Sequence, residues 1–198
     1  MTLAYARLSK QNPGAAPLLS AGIALACATL SPRIAIIIGA IQPRLLPEIL
    51  LPLAVLGLVP LVYAAWIARA SIGTTAIDAV RITNPFAIGS ALTMAGAITV
   101  LSVAIRGAEV QLGPAGTYAV AALSGILDVD AVSVAMASRP GELLAEVAAN
   151  GILLAVGSNT LAKAAMAVAT GTPELGRRCG PVLLLAAFAA GSVFLLTR

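Results

Sequence analysis

Long apolar runs recur along this chain, and they limit its possible folds more than any other feature. Each run holds about 20 residues, the length at which an α-helix crosses the roughly 30 Å hydrocarbon core of a bilayer. The runs are continuous rather than alternating, so they favour helices over strands. Only 10% of the residues are charged, whereas a soluble domain carries about 25%. The sequence therefore predicts an integral membrane protein.

Six such runs predict an all-α, polytopic transmembrane helix bundle that forms a single domain over residues 1–198. Their approximate limits are 15–41, 45–67, 85–105, 114–137, 146–170 and 179–197. We expect the third span to begin at Asn84–Pro85, because asparagine caps helices and proline suits the first turn. Lysine and arginine counted in alternate loops, six against four, favour a cytoplasmic N-terminus, and we expect the cell (inner) membrane as the location.

An internal repeat is predicted, with residues 1–67 as a partial first copy and residues 85–197 as the second. Residues 21–26 resemble residues 150–155 at corresponding places in the two copies. Chance similarity between alanine-rich helices is the alternative explanation. If the repeat is real, the first copy lacks counterparts of the third span and most of the fourth. We then expect the chain to form a homo-oligomer or to bind a partner membrane protein.

Two aspartates, Asp128 and Asp130, interrupt the fourth apolar run. An aspartate in the middle of a membrane helix costs about 2.5–3.5 kcal/mol, so packing alone does not account for two of them. Their i,i+2 spacing puts them on opposite faces of a regular helix. Both can face one cavity if the helix opens near Gly125, or if the second meets another polar partner. The pair predicts a cation or proton site with both aspartates as metal ligands and Ser124 and Ser133 beside them; the alternative is a solvated pair that caps a helix end.

The fifth run supplies possible partners for these acids. Asn159 and Lys163 are spaced i,i+4 and share a helix face, and Ser158 adjoins the asparagine. One interpretation is a charge relay in which Lys163 competes with a cation for the carboxylates. The other is a lysine that extends along its own stem to the interface. Arg33 in the first run is expected to pair with Glu48 or with an aspartate of the second half, or to reach the interface in the same way.

Several function classes are disfavoured by what the sequence lacks. Histidine is absent, which removes imidazole metal ligands and histidine bases. No nucleophile–base pair, glycine-rich nucleotide loop or metal-binding cysteine set is present, so we expect neither an enzyme nor a cofactor. The net charge of +4 is spread over loops and helix ends, which is typical of residues beside a lipid bilayer and not of nucleic-acid binding. Cys27 and Cys179 are expected to be buried thiols.

Three stretches carry a resemblance to a known family: Leu123–Ser133, Asn84–Phe86 before it and Ser158–Ala164 after it. Together they resemble an uncharacterised bacterial and archaeal membrane domain that is often found C-terminal to MgtC/SapB-type domains. The stretch Ser20–Leu46 is also similar, so the resemblance covers nearly the whole chain. Members of that family carry further hydrophobic helices before the point where this chain begins. The resemblance thus implies an N-terminally incomplete domain and a link to magnesium or general cation homeostasis.

Two functions are therefore expected. The first is the passage or exchange of a small cation, either magnesium or a proton-coupled ion, with Asp128 and Asp130 as coordinating acids. The second is a non-transporting membrane module that binds or regulates a partner protein, as MgtC-type domains are thought to do. A water-accessible cavity that reaches the aspartates favours transport. Aspartates sealed by lysine or arginine, together with a small-residue groove that faces lipid, favour the partner module.

Overall fold

A computed structural model describes residues 2–70, 88–138 and 145–196 of the chain. Within these ranges every regular element is helical, which confirms the all-α class. The α-helices are α1 Thr2–Gln11, α2 Ala16–Ala28, α3 Leu30–Ile41, α4 Leu46–Ala70, α5 Ile88–Leu112, α6 Pro114–Leu127, α7 Val129–Ala137, α8 Ala145–Thr170 and α9 Pro173–Leu196. Two short 3₁₀ turns, Pro13–Ala15 and Pro43–Leu45, precede α2 and α4.

Five of the six predicted spans correspond to helical segments that are long and apolar enough to cross a membrane. These segments are Pro13–Ile41, Pro43–Ala70, Ala95–Leu112, Ala145–Thr170 and Pro173–Leu196. The fourth predicted span differs, because it is divided into α6 and α7, and α6 alone is apolar but short. The expected start of the third span at Asn84–Pro85 lies outside the described residues.

Prolines mark several helix starts in this chain, and they also lie inside α4 and α9 without ending these helices. Pro114 and Pro173 are the first residues of α6 and α9, a position where the missing N–H has no helical partner to lose. Pro52 and Pro60 lie inside α4 and both are buried. Neighbouring helices that pack against such a position make a proline inside a membrane helix tolerable.

Buried side chains form three clusters in the described part of the chain, and the smallest joins α2 and α4. The largest includes residues of every helix from α3 to α9, and its fully buried side chains include Ile34, Ile49 and Met136. The second joins α1, α2, α8 and α9, and it contains the free thiols Cys27 and Cys179, which are buried as predicted. The outer surface is apolar as well, since Leu127 is 88% exposed and many other large aliphatic side chains are exposed. An apolar exterior of this kind suits contact with lipid.

Two short helices make contacts between the two halves of the chain. Helix α1 packs against α8 as well as α2, and α7 packs against α3 as well as α5 and α8. The contact between α3 and α7 brings residues of the first half next to the aspartates. The duplication itself stays a prediction.

Candidate ion-binding site

The chain leaves the helical conformation at Asp128, between α6 and α7. Its backbone is extended, with φ −151° and ψ 103°. Its N–H donates to the Ser124 carbonyl at 2.9 Å and ends α6, while its Oδ1 accepts from the N–H of Asp130 at 2.9 Å and of Ala131 at 3.2 Å. An aspartate side chain that captures these two N–H groups is a helix N-cap. The break therefore falls three residues beyond Gly125, and Asp128 has the capping geometry of the alternative interpretation.

Asn159 of α8 holds the end of α6. Its Nδ2 donates to the Gly125 carbonyl at 2.9 Å, in the last turn of α6, where helix carbonyls lose their backbone partners. The two helices approach closely at this point, because a Cβ on Gly125 would lie 2.5 Å from the Cα of Ala155. Ala155 is one turn before Asn159 on α8. The absence of a side chain at Gly125 thus lets the amide of Asn159 reach the break.

Asp130 is bound from the opposite half of the chain by Arg33. The Arg33 Nη2 atom lies 2.9 Å from Asp130 Oδ2. Of the partners expected for Arg33, the structure gives an aspartate of the second half. The Arg33 side chain is 57% exposed and the Asp130 side chain 20% exposed. The ion pair therefore lies at the edge of the bundle, with the guanidinium outside and the carboxylate turned inward.

Three oxygen atoms near the break are buried and have no hydrogen-bond partner among the described residues. They are Asp130 Oδ1, Ser133 Oγ and Asn159 Oδ1. Ser133 is fully buried and lies one turn after Asp130 on α7. The carboxylate and amide oxygens can only accept, and the hydroxyl can also accept. A buried acceptor without a donor costs about 1–3 kcal/mol, so each of these atoms would gain from a cation or a proton.

The two predicted metal ligands do not contribute equally. Asp128 Oδ1 already accepts two backbone N–H groups, and Asp130 Oδ2 faces Arg33. Asp130 Oδ1 is the buried oxygen of the two carboxylates that has no partner among the described residues. In the described part of the chain, no three acidic, cysteine or histidine side chains gather where they could hold a metal ion. The unpartnered Asp130 Oδ1 is thus an acceptor that a small cation or a proton can bind.

Lys163 belongs to the electrostatic surroundings of Asp130 without pairing with it. Arg33, Asp128 and Lys163 all act on the Asp130 carboxylate through their charges. Among the described residues, Lys163 forms no ion pair within 4.0 Å. The remaining predicted residues make local contacts. Ser158 Oγ donates to the Ala155 carbonyl of its own helix at 3.0 Å, and Ser124 accepts the N–H of Asp128 through its backbone carbonyl.

Residues 1–171 match the family described as a domain of unknown function, DUF4010. The chain belongs to this family. A relative in Aquifex aeolicus (strain VF5), itself described as an uncharacterized protein, is 40% identical over 96 residues, which are 48% of this chain and 42% of that protein. The matched stretch thus spans less than half of the relative's length. No solved structure matches the chain. The DUF4010 match supports the predicted resemblance to an uncharacterised domain. It does not bear on the association with MgtC/SapB-type domains.

A second polar pair in this DUF4010 member was not singled out from the sequence. Asn150 is only 9% exposed, and its Nδ2 donates to the Tyr118 hydroxyl at 3.0 Å. The pair lines an otherwise apolar cavity of about 370 Å³ between α4, α6, α8 and α9. The signal was available, because an asparagine in a long apolar run needs a polar partner. What the sequence lacked was any pattern linking it to a tyrosine of the preceding span.

An apolar groove of about 560 Å³ runs between α2–α3 and α4. Small side chains form much of its wall, among them Ala28, Ala35, Ala54 and Gly57. Ser31 also lines the groove, and its buried hydroxyl has no partner among the described residues. Small residues at a helix surface allow another helix to approach closely in lipid.

Proposed function

We propose that this protein moves a small cation across the cell (inner) membrane and that Asp130 is the carboxylate to which the cation binds. The observation that carries the proposal is the unpartnered Asp130 Oδ1, which is buried while Oδ2 of the same carboxylate faces Arg33. A structural ion pair in a membrane bundle gains most when both carboxylate oxygens are bonded. A carboxylate with one oxygen in reserve can exchange partners.

The broken helix adds a second argument for this function. Discontinuous helices in transporters present free backbone groups and carboxylates to ions near the middle of the bilayer. Here the break is maintained from both sides, by Asp128 capping α7 and by Asn159 holding the Gly125 carbonyl of α6. Asp130 and Ser133 follow within the next two turns. The polar atoms are thus concentrated where the helix is interrupted.

Exchange at Asp130 requires that Arg33 can leave. Its side chain is more than half exposed, so the guanidinium can withdraw without being buried elsewhere. A cation that takes its place restores the charge balance of the carboxylate. In this scheme the protein alternates between an Arg33-bound and a cation-bound Asp130, and only a cation that prefers the second state shifts the equilibrium.

Cation flux from purified protein in liposomes tests the proposal. Protein-containing vesicles and empty vesicles are compared across protons, Na⁺, K⁺ and Mg²⁺, with Asp130→Asn as the inactive control. The proposal expects a flux that needs both the protein and the Asp130 carboxylate. Equal flux in empty and protein-containing vesicles for every cation contradicts it.

A second candidate is a non-transporting membrane module that binds or regulates a partner protein. Two observations favour it, because Arg33 covers one side of Asp130 and the apolar groove between α2–α3 and α4 has a small-residue wall. An MgtC/SapB-type membrane protein is the proposed partner, with a second copy of this chain as the other occupant. Filling the groove by Ala54→Trp distinguishes the two functions. This variant should lose co-purification with an MgtC/SapB-type partner in the module interpretation and should keep cation flux in the transport interpretation.

A further inference from the structure

The charges around Asp130 restrict the kind of cation that can bind there, if the proposed function holds. The Asp130 carboxylate is acted on by one further acidic side chain, Asp128, and by two basic side chains, Arg33 and Lys163. The group is therefore formally neutral while Arg33 is paired. We infer that the site takes a single monovalent cation, a proton included, and that Arg33 is the tethered cation that it displaces. This inference rests on the proposed function and narrows its substrate class.

Charge balance is the first reason. When a monovalent cation replaces the Arg33 guanidinium beside Asp130, the local formal charge stays the same. A divalent cation leaves one excess positive charge there, with Lys163 still acting on the same carboxylate. Uncompensated charge is expensive where the dielectric constant is low. The same two basic groups also repel an approaching divalent ion more strongly than a monovalent one.

The available ligand atoms are the second reason. Asp128 Oδ1 is committed to the N-cap of α7 and Asp130 Oδ2 to Arg33, while Asp130 Oδ1 is the buried oxygen of the two carboxylates without a partner among the described residues. The other unpartnered oxygens, on Ser133 and Asn159, are neutral. Calcium takes six to eight oxygen ligands with several carboxylates, and magnesium holds a demanding octahedron. In the described ranges no group of three acidic side chains offers such a set.

The ion pair also connects two helices, so exchange at Asp130 has a mechanical consequence. Arg33 belongs to α3 and Asp130 to α7, and these helices pack against each other. Displacing Arg33 therefore removes a link between the two halves of the bundle.

Ion selectivity in liposomes tests this inference. Fluxes of protons, Na⁺, K⁺, Mg²⁺ and Ca²⁺ are measured for the unchanged protein, for Asp130→Asn and for Arg33→Gln. Arg178→Gln is the matched control, because Arg178 pairs with Glu174 at 3.0 Å on the exposed start of α9. We expect Asp130-dependent flux of at least one monovalent cation and no flux of either divalent cation. In Arg33→Gln the half-saturating concentration of the monovalent cation should fall about threefold or more, since no tethered competitor remains, and Mg²⁺ should begin to inhibit.

The possible flux results distinguish failure of this inference from failure of the proposed function. Asp130-dependent flux of Mg²⁺ or Ca²⁺ overturns the inference and leaves the proposed function standing. The absence of Asp130-dependent flux for all five cations overturns both. Monovalent flux that is Asp130-dependent but has the same half-saturating concentration in Arg33→Gln and Arg178→Gln overturns the role of Arg33. If Arg33→Gln does not fold, Arg33→Lys keeps the charge, and a weaker ion pair should still lower the half-saturating concentration relative to the unchanged protein.

Discussion

Arg33 Nη2 lies 2.9 Å from Asp130 Oδ2, and this ion pair ties α3 of the first half of the chain to α7 of the second. The other carboxylate oxygen, Oδ1, is buried and has no partner among the described residues. One carboxylate thus has an occupied and an unoccupied side. That asymmetry distinguishes Asp130 from Asp128, whose Oδ1 accepts two backbone N–H groups.

Asp128 should behave as a helix cap. Asp128→Ala removes the acceptor for two N–H groups of α7 and should lower stability by about 0.5–2 kcal/mol. Asp128→Asn keeps a side-chain oxygen at the same place and should have little effect on thermal unfolding in detergent. A melting temperature for Asp128→Asn as low as that for Asp128→Ala would contradict the capping role.

The close approach of α6 and α8 should tolerate no side chain at Gly125. Gly125→Ala places a Cβ against the Ala155 backbone, so the helices must separate and stability should fall by about 1–3 kcal/mol. Gly107→Ala on α5 is the matched control, because no atom of the described residues outside its own helix backbone lies within 4 Å of the added Cβ, and alanine is the better helix former. Equal melting temperatures for the two variants would contradict the packing.

Asn159 should matter through its bond to the Gly125 carbonyl. Asn159→Leu leaves that carbonyl without its side-chain donor and should cost about 1–3 kcal/mol of stability. Ser158→Ala removes a bond that the hydroxyl makes within its own helix and should change stability much less. Chemical denaturation of both variants in the same detergent measures the difference. A larger loss in Ser158→Ala would indicate that Asn159 does not hold the break.

Lys163 should limit cation binding from a distance. Lys163→Met keeps an unbranched side chain and removes a positive charge that acts on Asp130. Without added cation the acid is less well compensated, so the variant should melt at a lower temperature, and the permeant cation should restore more of that stability than in the unchanged protein. Lys10→Met, at the exposed end of α1, is the control. An identical cation response in both variants would remove Lys163 from the site.

Hydropathy and helix-cap chemistry were enough to predict the helical class, most of the spans and a polar interruption in the fourth. An opening near Gly125 was one of two conditions under which both aspartates could face one cavity. The break lies at Asp128, because the aspartate side chain captures the N–H groups of Asp130 and Ala131. The sequence predicts that an aspartate side chain can compete with the backbone for N–H groups and end a helix. The residue at which the helix ends depends on which carbonyl groups the neighbouring helices can bond to. Asn159 satisfies the one at Gly125.

The partner of Arg33 illustrates what local patterns leave open. Glu48 and the aspartates were all within reach of a sequence argument, since each is an acid in or beside an apolar run. The choice of Asp130 follows from the packing of α3 against α7. This is a contact between distant parts of the chain, and no periodic pattern in the sequence indicates it. The bond between Asn150 and Tyr118 was missed for the same reason.

The most direct test of the account is a double-mutant cycle on cation flux in liposomes, with the unchanged protein, Asp130→Asn, Arg33→Gln and the double variant at matched protein density. Glu174→Gln, which removes an exposed carboxylate from an ion pair on α9, is the control for loss of an acid. We predict normal flux in Glu174→Gln and continued flux in Arg33→Gln. Both proteins that carry Asp130→Asn should lose flux on the order of tenfold or more. Flux in Asp130→Asn equal to that in Glu174→Gln would contradict the central claim that Asp130 binds the transported cation.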